Sequence, residues 1–183
     1  ITKLSTEAGI YTLNRFFDEK FVNEWIYWQI VPKKRTLMSR KAKLINASGV
    51  FFHLEELHSV CRGIQQLLDD EGVFVVQFMY FQDILKSCAF DAIYHEHLCY
   101  YTLKSLKTLM EMYDMTLLDA FEHPIHGGSM IAKFVKSSSS KSKLITHRAH
   151  EWLISEIPIT LDILKDFSNK VELKRSQIQQ ALY

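Results

Sequence analysis

Val73-Phe74-Val75-Val76-Gln77-Phe78 is an apolar run of strand length, and its reading decides the fold class. Such a run fits a strand buried on both faces of a parallel sheet. Upstream, Leu54, Leu57, Val60, Cys61, Ile64, Leu67 and Leu68 keep the spacing of one helical face. Asp69-Asp70-Glu71-Gly72 reads as the turn that closes this helix. Before it, Lys43-Leu44-Ile45-Asn46-Ala47-Ser48 is a second short strand ending in small polar residues. Strand, helix, strand in this order is a βαβ unit, which crosses over right-handed. Strands near 44–48 and 73–78 are therefore expected to be parallel.

Downstream, Thr102 is placed to cap a helix whose buried face is Leu103, Leu106, Leu109, Met110 and Tyr113. Residues 116–121 and 130–135 are two further strands. The link between them carries Pro124 and Gly127-Gly128, suited to a turn between antiparallel neighbours. Residues 130–135 are expected beside 73–78 and antiparallel to it, with 116–121 at the edge. Ser137 to Ser140 with Lys141 and Lys143 has the composition of a flexible linker. Leu164, Phe167, Val171, Ile178 and Leu182 mark a long amphipathic helix beyond it. The chain so divides into 1–136, a partial Rossmann-like sheet domain, and 137–183, a linker and C-terminal helix.

Upstream of the first strand, residues 1–9 read as a helix end stopped at Gly9, and 10–17 as a short strand. Phe21, Val22, Trp25, Ile26 and Trp28 form a helical stripe. Lys33-Lys34-Arg35, Arg40-Lys41 and Lys43 make a basic loop with no aromatic residues interleaved, unlike a single-strand-binding surface.

The chain has 183 residues, 48% of them hydrophobic, enough for one real core. Twenty-two basic residues face 21 acidic ones, and a net charge of +1 recruits neither nucleic acid nor membrane. Cys61, Cys88 and Cys99 are odd in number and lack C-x-x-C spacing, which fits a reducing, cytoplasmic compartment.

Chemistry concentrates in Tyr94-His95-Glu96-His97, a phenol, two imidazoles and a carboxylate flanked by apolar residues. A second polar stretch, His123-Pro124-Ile125-His126-Gly127-Gly128-Ser129, follows and could meet it. The stretches Ala47 to Leu57, Asp70 to Phe78, Phe90 to His97 and His126 to Ser129, in this order and spacing, resemble the sugar C-methyltransferase family. The resemblance runs from about Gly9 to Val135. It implies S-adenosylmethionine as cofactor and a keto-deoxysugar nucleotide as substrate. It also implies roles: His97 as general base, Glu96 orienting it or holding a sugar hydroxyl, and Tyr94 donating to the developing enolate oxygen. His53, His95, His126 and Tyr80 would bind substrate, and Ala47, Ser48 and Gly49 would touch the cofactor at the carboxyl edge of the sheet. Against the family pattern, Gly49 stands where Asn is usual, Gln77 where an acid is common, and Met79 where Pro is common.

The family's Gly-rich cofactor loop, its N-terminal zinc module and its C-terminal domain have no counterpart here, so a fragment or a truncated relative is expected. A non-catalytic scaffold derived from the same fold is the alternative. A His-rich metal site from His95-x-His97, His123-x-x-His126 and His147-x-x-His150 is a lesser one. The first strand would lose a neighbour and expose an edge, which invites pairing with another chain or covering by Phe21–Ile30; a homo-oligomer is expected.

Overall fold

The computed structural model describes residues 2–30 and 41–182. In chain order these form helices α1 (Thr2–Glu7) and α2 (Glu19–Ile30), strand β1 (Ala42–Ser48), helix α3 (Leu57–Leu67) and strand β2 (Leu68–Met79). Helices α4 (Phe81–Ser87) and α5 (Leu103–Glu111), strands β3 (Met115–His123) and β4 (Ser129–Lys136), and helices α6 (His147–Ser155) and α7 (Leu161–Leu182) follow. The fold is mixed α/β around one four-stranded open sheet in the order β1-β2-β4-β3. β1 runs parallel to β2, and β4 is antiparallel to both β2 and β3, as the sequence predicts.

Alternation along β2 sets the core. Phe74, Val76 and Phe78 are fully buried and face the same way. They register with Phe134, Ala132 and Met130 of β4. Val60, Cys61 and Ile64 of α3 and Leu103, Leu106 and Met110 of α5 complete this cluster. The opposite face differs from expectation. Val73 and Val75 are half-buried, and Leu44 beside them on β1 is 63% exposed. The strand is thus fully buried along one face, while the other is only half-buried at Val73 and Val75. Among the described residues, no helix shields Leu44 as α3 and α5 shield Phe74.

Three further expectations give way. Residues 10–17 join no sheet, and Tyr11 and Phe16 are 74% and 94% exposed. Without a partner strand, their backbone groups gain nothing from an extended ladder. Asp69 to Gly72 continue β2 rather than ending the helix in a free turn. Pairing jumps from Ala42↔Leu68 to Leu44↔Val73, so these residues bulge out of register. Glu71 N–H donates to Asp69 Oδ1 there at 3.1 Å.

The bulge orders the serine run. Glu71 accepts from Ser139 Oγ at 3.0 Å, Ser140 N–H at 2.9 Å and Ser140 Oγ at 2.8 Å. These bonds hold its carboxyl below the usual range. Lys136, largely buried, pairs with Asp70 at 2.8 Å. The run is a fixed 3₁₀ turn (Ser140–Lys143), not a loose tether. Beyond this turn, Ala149 of α6 and Glu156 are both buried. α7 buries no residue.

The basic stretch at 33–35 and Arg40 lie outside the described residues, as does the side chain of Trp28; Val22 of the same helix is fully buried. Among the described residues, no helix is long and apolar enough to cross a membrane.

Candidate active site

The carboxyl ends of β1 and β2 carry the site. β1 ends at Ser48, and Gly49 turns the chain with φ +66°, its N–H donating to Gln77 O of β2 at 3.3 Å. Phe51 and Phe52 then sink into the core as a 3₁₀ turn and leave His53 at the surface side of it. The loop carrying the polar cluster is sewn onto this turn. Leu98 N–H donates to Phe52 O at 2.9 Å, and Tyr101 Oη donates to Phe51 O at 3.3 Å.

This stitching brings two histidines together from 44 residues apart in sequence, with His53 and His97 ring centroids 4.9 Å apart. Tyr94 lies 4.3 Å from the His97 ring, and Phe52 meets it edge-on at 4.7 Å. His97 Nδ1 lies 2.7 Å from Ala92 O, and His53 Nδ1 lies 2.7 Å from Glu96 O. A carbonyl only accepts, so both Nδ1 atoms carry the proton and both Nε2 atoms keep a lone pair in the neutral ring. Neither Nε2 has a hydrogen-bond partner among the described residues.

Of the predicted site residues, His53, Tyr94 and His97 therefore converge. Glu96 contributes through its main chain, whose carbonyl holds His53. His97 is oriented by Ala92, so the expected orienting role of the Glu96 carboxylate is not what the structure shows. His95 is exposed, and its ring contact among the described residues is with Tyr94. His126 is exposed in the other loop, in a left-handed conformation with φ +56°. Tyr80 departs furthest from expectation. It is 2% exposed, and its hydroxyl donates to Glu156 Oε1 at 2.9 Å. Burial, then the Glu156 charge, pushes its pKa upward. Glu156 also accepts from Leu103 and Lys104 N–H at 2.5 and 2.9 Å, so the Tyr80 hydroxyl is tied to the start of α5.

Other polar groups nearby escape sequence reading. Gln77, 6% exposed, donates from Nε2 to Ser129 Oγ at 2.8 Å, and Ser129 Oγ donates to Ile125 O at 2.8 Å. Ser129 sits in a quoted motif, but nothing in local spacing joins it to Gln77. Asp83 of α4 packs against Gly128, where an added Cβ would come within 2.6 Å of Oδ2. Burial first, and Glu122 next to it, push the Asp83 carboxyl up to about 6. Two clefts of about 510 and 420 Å³ lie elsewhere, against Glu156 and against α7, and the histidine pair lines neither.

Among the described residues, no three His, Cys, Asp or Glu side chains gather as a metal site. For an adenosyl cofactor, Ala47, Ser48 and Gly49 give one wall: a half-buried methyl, an exposed hydroxyl and a turn without a side chain. That is a partial fit, confined to the end of β1.

No family model matches the chain. Over 90 residues it is 37% identical to the C-methyltransferase NovU of Streptomyces niveus, a stretch covering 49% of this chain and 21% of that protein. The chain thus spans about a fifth of the relative's length. Among solved structures, a SAM-dependent methyltransferase (TM1293) from Thermotoga maritima aligns over 74% of this chain and 68% of its own, with TM-score 0.49 and 11% identity. The N-methyltransferase NodS from Bradyrhizobium japonicum aligns over 56% and 55%, with TM-score 0.40 and 14% identity. About half of the chain is, in sequence, similar to a C-methyltransferase.

Proposed function

We propose that this chain carries the proton-abstracting half of an S-adenosylmethionine-dependent C-methyltransferase acting on a keto-deoxysugar nucleotide. The observation that carries the proposal is the His53–His97 pair, each ring anchored through Nδ1 to a backbone carbonyl with Nε2 left free. Such anchoring fixes the tautomer and leaves the Nε2 lone pair facing outward as the proton acceptor. The sequence similarity to a C-methyltransferase supplies the reaction class.

Methylation at a carbon next to a ketone begins with loss of a proton from that carbon. His97 Nε2 takes it. Half-buried and wedged between Phe52 and Tyr94, His97 has little rotamer freedom, so the base is preset. The Tyr94 hydroxyl, on a ring 4.3 Å from that of His97, donates to the oxygen that gains charge as the enolate forms. His53 binds the sugar portion through its own Nε2. S-adenosylmethionine, when bound, supplies the electrophilic methyl group that the carbanion attacks in line. The Ala47–Gly49 wall accounts for only part of its surface, and alignment of the two reactants is worth about 7–11 kcal/mol of barrier. The isolated 183-residue chain is therefore expected to turn over negligibly. A general base contributes typically about 10²–10⁴-fold.

The test is transfer of labelled methyl to a keto-deoxysugar nucleotide, by this chain and by a form extended upstream. Activity in the extended form, lost by about that factor in His97→Ala, is the expected result. Activity unchanged by His97→Ala would remove the base assignment.

A second reading, an assembly module built on the same fold, is favoured by β1. Among the described residues it pairs with β2 alone, leaving an unpaired edge beside exposed Leu44. We propose on this ground that the chain forms a homo-oligomer, and that it works in the cytoplasm, a location its three free cysteines suit. A monomer by light scattering would argue against that assembly.

A further inference from the structure

We propose that Gln77 is a specificity-determining residue of this site: its carboxamide oxygen accepts a hydrogen bond from a hydroxyl or amino group of the bound molecule. The orientation of the amide follows from counting protons. Ser129 Oγ has one hydrogen and gives it to Ile125 O at 2.8 Å. Toward Gln77, 2.8 Å away, Ser129 can then only accept, so the NH₂ end of Gln77 must face it. Oε1 is thereby turned the other way, toward the Gly49 turn.

That oxygen has no hydrogen-bond partner among the described residues, yet it is not among the enclosed unpaired atoms, so it reaches solvent. Opposite it stands Gly49, where an added Cβ would lie 3.6 Å from Oε1. Any side chain there would roof the acceptor over. A buried residue showing one oriented acceptor at the carboxyl edge of a sheet, opposite Gly49, which itself stands four positions before His53, has the form of a reader of donor groups. Ser129 and Gln77 also tie the His126 loop to the carboxyl end of β2, since Ile125 precedes His126.

The inference rests on the methyltransferase reading only for the class of ligand. The donor could belong to the sugar nucleotide or to the adenosyl group, and two probes distinguish them. The full chain, labelled with ¹⁵N, is titrated separately with thymidine diphosphate glucose and with S-adenosylhomocysteine. The Gln77 side-chain resonances are assigned from their loss in Gln77→Leu. The expected result is that one probe moves both these resonances and those of the His97 ring. Gln77→Leu then weakens that probe by about tenfold, and Gln77→Glu, which keeps an acceptor there, restores it.

Binding that moves His97 but is equal in Gln77→Leu overturns the inference and leaves the reading standing. A Gln77→Glu chain that stays weak overturns it too, because the loss would then come from the Ser129 contact. If neither probe moves a site resonance, the reading falls and takes the inference with it. Should Gln77→Leu not fold, Ser129→Ala replaces it. That variant frees the amide to rotate and is expected to bind several-fold more weakly, and equal binding would overturn the proposal.

Discussion

Glu156→Ala should be among the most damaging single changes in this protein, although Glu156 lies far from the histidine pair in sequence. Its carboxylate is 4% exposed and accepts three hydrogen bonds: Tyr80 Oη at 2.9 Å, Leu103 N–H at 2.5 Å and Lys104 N–H at 2.9 Å. The last two are first-turn donors of α5, which have no intrahelical partners. Truncation strands the buried Tyr80 hydroxyl and the buried Leu103 N–H, at about 1–3 kcal/mol each. It also removes a negative charge from a helix N-terminus, worth roughly 0.3–1 kcal/mol. Lys104 N–H is only partly buried, so water can replace its bond. The total is about 2–7 kcal/mol, against about 5–15 kcal/mol for a typical domain. Urea unfolding followed by circular dichroism measures it as a fall in midpoint at unchanged slope. Glu156→Gln, which keeps one acceptor oxygen, should recover roughly half. A loss below about 1 kcal/mol in Glu156→Ala would refute the reasoning, because it would mean the stranded donors find water.

Asp83 is pushed up to about 6 by burial and by Glu122, so its contribution is fully present below the unfolded carboxylate range and is lost as pH rises through 6. Asp83→Asn should flatten that loss and be more stable at pH 7, by roughly 1 kcal/mol once its partial exposure is discounted; urea unfolding at pH 4.5 and 7 compares the two. Asp119 behaves oppositely. Burial raises its pKa, but Arg148, Thr146 and Lys133 outweigh that and hold it at about 2, so its stabilisation is lost as pH falls toward 2. Asp119→Asn should shallow the acid limb of a stability profile and cost stability at pH 7. Gly128→Ala places a methyl 2.6 Å from Asp83 Oδ2 at a residue with φ +137°, and a thermal melt should show a loss of about 1–3 kcal/mol. Adding Asp83→Ala should return the steric part of it.

Much of the fold is legible because its signals are local. The β2 run, the α3 spacing and the Thr102 cap each involve neighbours in sequence. The cap is present as a reciprocal pair, with Ser105 N–H to Thr102 Oγ1 at 3.2 Å and Thr102 N–H to Ser105 Oγ at 3.0 Å. What composition misreads is order imposed from a distance. Four serines and two lysines look like a tether, but Glu71 supplies the bonds that fix them. In the candidate site, residue types mark the loop where the two histidines meet but not the atoms that hold them. Glu96 attracts notice for its carboxylate, while its backbone oxygen does the orienting. Tyr80 looks available to a ligand until Glu156, 76 residues on, claims its hydroxyl.

α7 has a consequence for handling the protein. It buries no residue, and among its ties to the rest are Lys174 Nζ to Ser87 O at 3.3 Å and, just before it, Gln82 Nε2 to Ile157 O at 2.7 Å. Its amide protons should exchange with deuterium through local opening, long before those of β2, which wait for global unfolding. A protease cutting at 158–160 would shed the helix and leave Glu156 in place, so a trimmed chain should keep its melting temperature. The exposed face of α7 is thus the natural place for a surface-immobilisation handle.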